Sequence, residues 1–188
     1  MSFRLGDLRI SVGYTLAAAL TAVLLFDRTG RIACCICAAA LHESGHLLML
    51  LCFHARVRGI SLRLFDVCIE AETPDTFAGE VCVTLGGPVM NLLTAAVSAP
   101  FDLTFCCANL ALGAFNLLPV ISLDGGRLLW LLLTRRLSER RVRRVMKILT
   151  FLIALPLMTA GIYVLLRSGY NYSLLIVSLY LLAVLFLK

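Results

Sequence analysis

Along this chain, apolar residues come in unbroken runs separated by short polar breaks, rather than in the one-sided stripe of a surface helix. The runs cover residues 10–26, 32–53, 81–99, 103–118, 148–166 and 173–187. At a rise of roughly 1.5 Å per residue, a run of about 20 residues crosses the hydrocarbon of a bilayer. Six membrane spans are predicted. A basic start before an apolar run also suits a signal peptide, but this run is long and ends in Asp27-Arg28-Thr29 without a small-residue cleavage site, so a retained helix is expected. After the second span the period changes to two. Ile60, Leu62 and Leu64 alternate with Ser61, Arg63 and Phe65, then Val67, Ile69 and Ala71 with Cys68, Glu70 and Glu72, which predicts two short strands turning at Asp66. Thr73-Pro74-Asp75 ends the pattern. Residues 128–133 suit a short interfacial helix. From Arg135 to Lys147 basic residues interleave with Leu137, Val142, Val145 and Met146 at helical spacing, an amphipathic lead into the fifth span. The expected fold is an all-α polytopic membrane protein of about six transmembrane helices, with a small membrane-associated β-hairpin between the second and third.

Composition agrees. The chain has 188 residues, 61% of them hydrophobic and 15% charged, and its mean hydropathy is +0.95. A soluble domain of this length leaves too much surface in water to hide that apolar content. No linker or repeat divides it, so residues 1–188 are read as a single membrane domain. Of the eight cysteines, Cys34, Cys35, Cys37, Cys82, Cys106 and Cys107 fall in or beside apolar runs, where cysteine behaves as a small hydrophobe. Reduced thiols are expected.

Charge then orients the spans. With six crossings, one side holds Arg4, Arg9, Arg56, Arg58, Arg63, Arg127, the Arg135 to Lys147 stretch and Lys188, and the other holds Arg28, Arg31 and Arg167. The positive-inside rule makes both termini cytoplasmic. The net charge of +6 is assigned to topology and to anionic lipid contact through Arg135 to Lys147. Nucleic-acid binding is not expected, since no polar domain accompanies the charge.

Chemistry concentrates in His42-Glu43-Ser44-Gly45-His46, inside the second run. Ionisable groups at membrane depth cost roughly 2.5–3.5 kcal/mol each on insertion scales and usually mark function. Two histidines four apart share a helix face and can close on one zinc ion, with Glu43 beside them to accept a proton from water. A catalytic zinc needs a third protein ligand. Met49 and Cys52 stand where a metzincin would place its glycine and third histidine, and His54 lies about two turns past His46. Glu70 and Glu72 sit in a strand-like stretch. Asp124, after a span and a proline break, is the best candidate; its alternative is to cap a helix starting at Gly125. A polar knot between helices, or a proton path in a transporter, would also explain the trio.

Three segments together resemble one family. His42-Glu43-Ser44-Gly45-His46, Gly86-Gly87-Pro88-Val89-Met90-Asn91 and Asn116-Leu117-Leu118-Pro119-Val120-Ile121-Ser122-Leu123-Asp124-Gly125-Gly126-Arg127 are similar, in this order, to the motifs of the site-2 protease family of intramembrane zinc metallopeptidases, peptidase family M50. The size and six-span layout resemble its stage IV sporulation protein FB branch. The resemblance implies one Zn2+ per chain, held by His42, His46 and Asp124, with Glu43 as the catalytic glutamate. It also implies that Asn91, Asn116 and Pro119 help shape the substrate cleft, and that the substrate is a membrane protein or membrane-tethered protein cut by regulated intramembrane proteolysis in a bacterial cytoplasmic membrane. Ser122 stands where many relatives have proline, which is expected to loosen that loop, and no PDZ or CBS domain is present in these residues. The competing function is a catalytically inactive scaffold or a transporter. Within the protease reading, two roles stay open for the strand from Ile60 to Leu64: pairing with an unwound substrate as an edge strand, or merely connecting two spans.

Overall fold

A computed structural model of the protein describes residues 2–5, 8–14, 18, 21, 25, 27, 29–63, 66–72, 74, 76–169 and 171–187. The described elements are, in chain order, strands β1 (Ser2–Leu5) and β2 (Leu8–Val12), helix α1 (Arg31–Cys52), strands β3 (Val57–Arg63) and β4 (Asp66–Ala71), and helices α2 (Phe77–Ser98), α3 (Leu103–Asn116), α4 (Asp124–Thr134), α5 (Glu139–Ser168) and α6 (Ser173–Leu187). The chain is mostly helical and forms two compact units, Met1–Ala114 and Phe115–Lys188.

In the first unit the expected hairpin is part of a larger sheet. Four strands lie in the order β1-β2-β3-β4, with β1–β2 and β3–β4 antiparallel and β2–β3 parallel. Residues 8–12 therefore belong to β2, so the first expected span cannot start at Ile10; most of the rest of that span lies outside the described residues. The reason is a non-local pairing. Ile10 lies opposite Ile60 and Ser11 opposite Ser61, whose hydroxyls hydrogen-bond at 2.9 Å. Parallel strands need a long crossover between them, and here that crossover contains α1. Flanked by β2 and β4, β3 has both backbone edges occupied. Among the described strands the outer edges of the sheet belong to β1 and β4, so of the two roles left open for the Ile60 to Leu64 strand, pairing with substrate finds no edge on β3.

Helix α1 begins where Asp27 reaches over its first turn. The Asp27 carboxylate accepts from the backbone N–H groups of Ile32 at 2.9 Å, Ala33 at 3.0 Å and Thr29 at 3.2 Å. Those donors, Ala33 first, hold its pKa below the usual carboxylate value. A lowered folded-state pKa stabilises the fold above the unfolded value near 3.8, and that stabilisation is lost as pH falls through the folded value. Thermal unfolding in detergent is therefore expected to separate wild type from Asp27→Ala at neutral pH and to bring the two together in strong acid. An equal gap at both would remove the carboxylate's role.

α2 starts four residues before the expected span because Thr76 caps it, its Oγ1 accepting from Gly79 N at 3.1 Å. α1 and α2 then meet backbone to backbone. A Cβ on Gly45 would strike the Gly86 carbonyl, and one on Gly86 the Gly45 carbonyl. Small residues at such a crossing let two apolar helices approach without side chains between them.

In the second unit, Val120, Ala154 and Leu181 form the centre of a core with Phe115, Leu118 and Leu123 against it. The expected amphipathic lead and fifth span are one helix, α5, 30 residues long. Val142, Met146, Thr150 and Ala154 make its buried stripe, while Arg140, Arg141, Arg143 and Arg144 are exposed.

Among the described residues, three helices are long and apolar enough to cross a membrane: Arg31–Cys52, Phe77–Ser98 and Glu139–Ser168, with mean hydropathies of 1.5, 1.6 and 2.2. Leu103–Asn116 and the sixth expected span are apolar but shorter. Leu51, Leu93, Val97, Leu152 and Leu166 point outward. Exposed apolar surface on this scale is that of a membrane protein.

Candidate metal centre

His42 and His46 lie one turn apart on α1, facing α2. The ring of His42 is 5% exposed and that of His46 partly buried. Each is oriented through Nδ1. His46 Nδ1 donates to the Val83 carbonyl at 2.7 Å, and His42 Nδ1 to Asn91 Oδ1 at 2.5 Å. A carbonyl oxygen only accepts, so Nδ1 must carry the proton, and a neutral imidazole then presents a lone pair at Nε2. The two Nε2 atoms are 3.2 Å apart. Two lone pairs that close repel unless a cation lies between them. Nitrogens about 2.05 Å from a tetrahedral zinc are roughly 3.3 Å apart, so the pair has the separation of two zinc ligands. Hydrogen-bonding the second ring nitrogen to an oxygen is also how metal-bound histidines are held.

α2 lies close against both rings. A Cβ on Gly87 would lie 2.6 Å from His42 Nε2 and would also strike His46 Nε2. Nothing but hydrogen fits at that position.

Glu43 is partly buried on the same turn of α1 as His42. The alternatives for a third ligand are placed elsewhere. His54 lies past the end of α1 with a left-handed backbone, φ 55°, its N–H donating to the Leu51 carbonyl. Glu72 pairs with Arg58 at 2.6 Å on the surface, and Glu70 is exposed on β4.

In the second unit Asp124 is the first residue of α4, and the capping position is held by Leu123. The helix therefore starts one residue earlier than the cap alternative requires. Gly125 and Gly126 let the preceding loop fold down on α4: a Cβ on Gly125 would strike the Leu117 carbonyl, and one on Gly126 the Val120 carbonyl. The loop is pinned at Ile121, whose N–H donates to Thr150 Oγ1 at 3.1 Å, and by the Leu123 N–H to Val120 O bond at 2.9 Å. Ser122 does not leave this loop unheld, although its own buried Oγ has no hydrogen-bond partner among the described residues. Asp124, Ser122, Arg127 and Trp130 line a cavity of about 320 Å³. Asn116 ends α3, and Pro119 lies in the loop.

Comparison with known proteins finds similarity to a family profile, to a curated protein and to a solved structure. The profile of peptidase family M50 matches residues 73–158. Stage IV sporulation protein FB of Bacillus subtilis (strain 168) is 28% identical over 134 residues, 65% of this chain and 46% of that protein. The chain thus spans about half the length of this curated relative. The fold matches that of the site-2 protease from Methanocaldococcus jannaschii with a TM-score of 0.68 at 21% identity, over 96% of this chain and 92% of that one. The chain has the fold of that site-2 protease. The family match includes the Gly86–Asn91 and Asp124 segments but stops short of the histidine pair, whose chemistry rests on the geometry above.

Three contributors to the site were not read from the sequence. Gly87 stood in a recognised motif, but as a helix-packing residue. The Val83 carbonyl is backbone and carries no sequence signal. Asn109, whose Oδ1 accepts from Asn91 Nδ2 at 2.8 Å, is a lone amide in an apolar run, a signal that the sequence carries. Asn91, expected at the substrate cleft, is instead 0% exposed and hydrogen-bonds between helices.

Proposed function

We propose that this protein is an intramembrane zinc metalloendopeptidase that cuts peptide bonds in or near the transmembrane segments of membrane-protein substrates. The observation that carries the reading is the histidine pair: two Nε2 atoms 3.2 Å apart, each with Nδ1 bound to an oxygen, one residue from a glutamate in a membrane-spanning helix. His42, His46 and Asp124 would hold the zinc, each offering one ligand atom. Bound there, zinc supplies Lewis-acid polarisation of the scissile carbonyl and lowers the pKa of the attacking water.

The remaining steps belong to the chain. Glu43 takes the proton from that water and returns it to the leaving amine. A helical substrate hides its carbonyls in its own hydrogen bonds, so it unwinds locally before attack. Asn116 and Pro119 help shape the cleft that receives it. Asn91 contributes through His42. Residues 1–188 act as one protease domain in a bacterial cytoplasmic membrane, crossing it six times with cytoplasmic termini, and Arg140, Arg141, Arg143 and Arg144 rest on anionic lipid. Labelling of single cysteines between residues 135 and 147 from outside the cell would overturn that topology.

Protein purified in detergent is expected to carry one zinc and to cleave a membrane-spanning peptide, with cleavage stopped by a chelator and restored by zinc. Absence of zinc, or chelator-resistant cleavage, would remove the reading. Asp124→Ala is expected to lower zinc occupancy; unchanged occupancy would leave Asp124 as a first-turn residue of α4 and no ligand.

A further inference from the structure

Asn109 lies on α3, a helix that contributes no residue to the proposed ligand set, yet it is 0% exposed. Its Nδ2 donates to the Phe105 carbonyl, four residues earlier on the same helix, at 2.9 Å. That bond decides which way its amide faces. Asn109 Oδ1 is left to accept from Asn91 Nδ2 at 2.8 Å, and Asn91 Nδ2 also donates to the Ala38 carbonyl at 3.0 Å. With both amide hydrogens of Asn91 so used, its Oδ1 is turned to His42 Nδ1.

Direction matters because the two histidines are held differently. His46 is held by a backbone carbonyl, which cannot turn over. His42 is held by a side-chain amide, which can. A flipped Asn91 would offer N–H to Nδ1 and move the imidazole proton to Nε2, producing a ring that is equally well bonded but unable to bind metal through that atom. The flip would also set Asn91 Oδ1 against two oxygens, the Ala38 carbonyl and Asn109 Oδ1. We propose that Asn109 is a positioning residue for the metal centre: through Asn91, it sets the tautomer of His42. The purpose of this chain rests on the zinc reading above, but its existence is testable without metal.

Histidine-labelled, metal-free full-length protein is examined by nitrogen NMR at alkaline pH. Wild type is expected to show His42 protonated at Nδ1 alone. Asn109→Leu is expected to give a mixture of tautomers, and Asn91→Leu a larger shift. Asn109→Asp, which still turns an oxygen to Asn91, is expected to restore the single form. Zinc affinity, measured by chelator competition, should fall about tenfold in Asn109→Leu, within the 10- to 100-fold range for residues behind a ligand, and recover in Asn109→Asp. Ser178→Ala, which removes a buried hydroxyl bonded to the Leu175 carbonyl on α6, should move neither readout. A single Nδ1-protonated His42 in Asn109→Leu overturns the proposal. If Asn109→Leu does not fold, the wild-type side-chain amides decide: both are expected to be protected from hydrogen exchange, and rapid exchange at either overturns it. A tautomer shift in a protein whose wild type binds no zinc would uphold the amide chain and remove the protease reading instead.

Discussion

Glu43→Gln is expected to abolish most cleavage while leaving zinc in place. Glutamine has nearly the same volume as glutamate, so the packing of α1 around this partly buried position should survive. Glu43 is also absent from the proposed ligand set, so zinc affinity should stay near the wild-type value. What disappears is the carboxylate's ability to take and return a proton. General acid–base groups contribute roughly 100- to 10,000-fold, equivalent to about 3 to 5 kcal/mol of barrier. The assay is turnover of a membrane-spanning peptide at matched zinc occupancy. Cleavage within a few fold of wild type would remove Glu43 as the proton carrier. Lost zinc would place it among the ligands instead.

Gly87→Ala should have an effect as large, by a different route. The added methyl would sit 2.6 Å from His42 Nε2 and 2.8 Å from its Cε1, in the space between the two rings. Neither ring can move away cheaply. His42 would have to leave Asn91 Oδ1, and His46 the Val83 carbonyl, or α1 and α2 would have to part where Gly45 and Gly86 hold their backbones in contact. Helix propensity acts the opposite way, since alanine is about 1 kcal/mol better than glycine in a helix interior. The variant is therefore expected to keep its helical circular dichroism and to lose zinc affinity by at least roughly 10- to 100-fold, the range for disturbed supporting residues. Wild-type zinc affinity in Gly87→Ala would mean that the rings do not use the space beside α2 for metal.

Both expectations depend on features of very different visibility. The histidine pair and its glutamate were legible because helical period alone puts positions four apart on one face. The apolar runs were legible because burial in lipid imposes length and composition without regard to neighbours. Asp124 stood out as an acid after a proline break, and Gly125 and Gly126 followed it for a reason visible only in the fold, the carbonyls of Leu117 and Val120 lying against them.

The start of the chain shows why the rest was not legible. Ser2–Leu5 and Leu8–Val12 are too short to announce themselves as strands, and β2 exists because β3, some fifty residues away, lies beside it. Strand order then decided that β3 is internal to the sheet, which no alternation of side chains can reveal. The same holds at the metal centre. By itself the sequence determined the long apolar helices at Arg31–Cys52, Phe77–Ser98 and Glu139–Ser168 and the shared face of His42 and His46, both of them local properties of spacing and side-chain type. Only the tertiary structure decided that Val83 and Asn91 face the Nδ1 atoms of the two rings, that Asn109 lies against Asn91, and that Gly87 brings α2 close against both rings. Hydrogen-bond direction and atomic clearance are set by which backbone faces which, and the order of residues along the chain does not contain them.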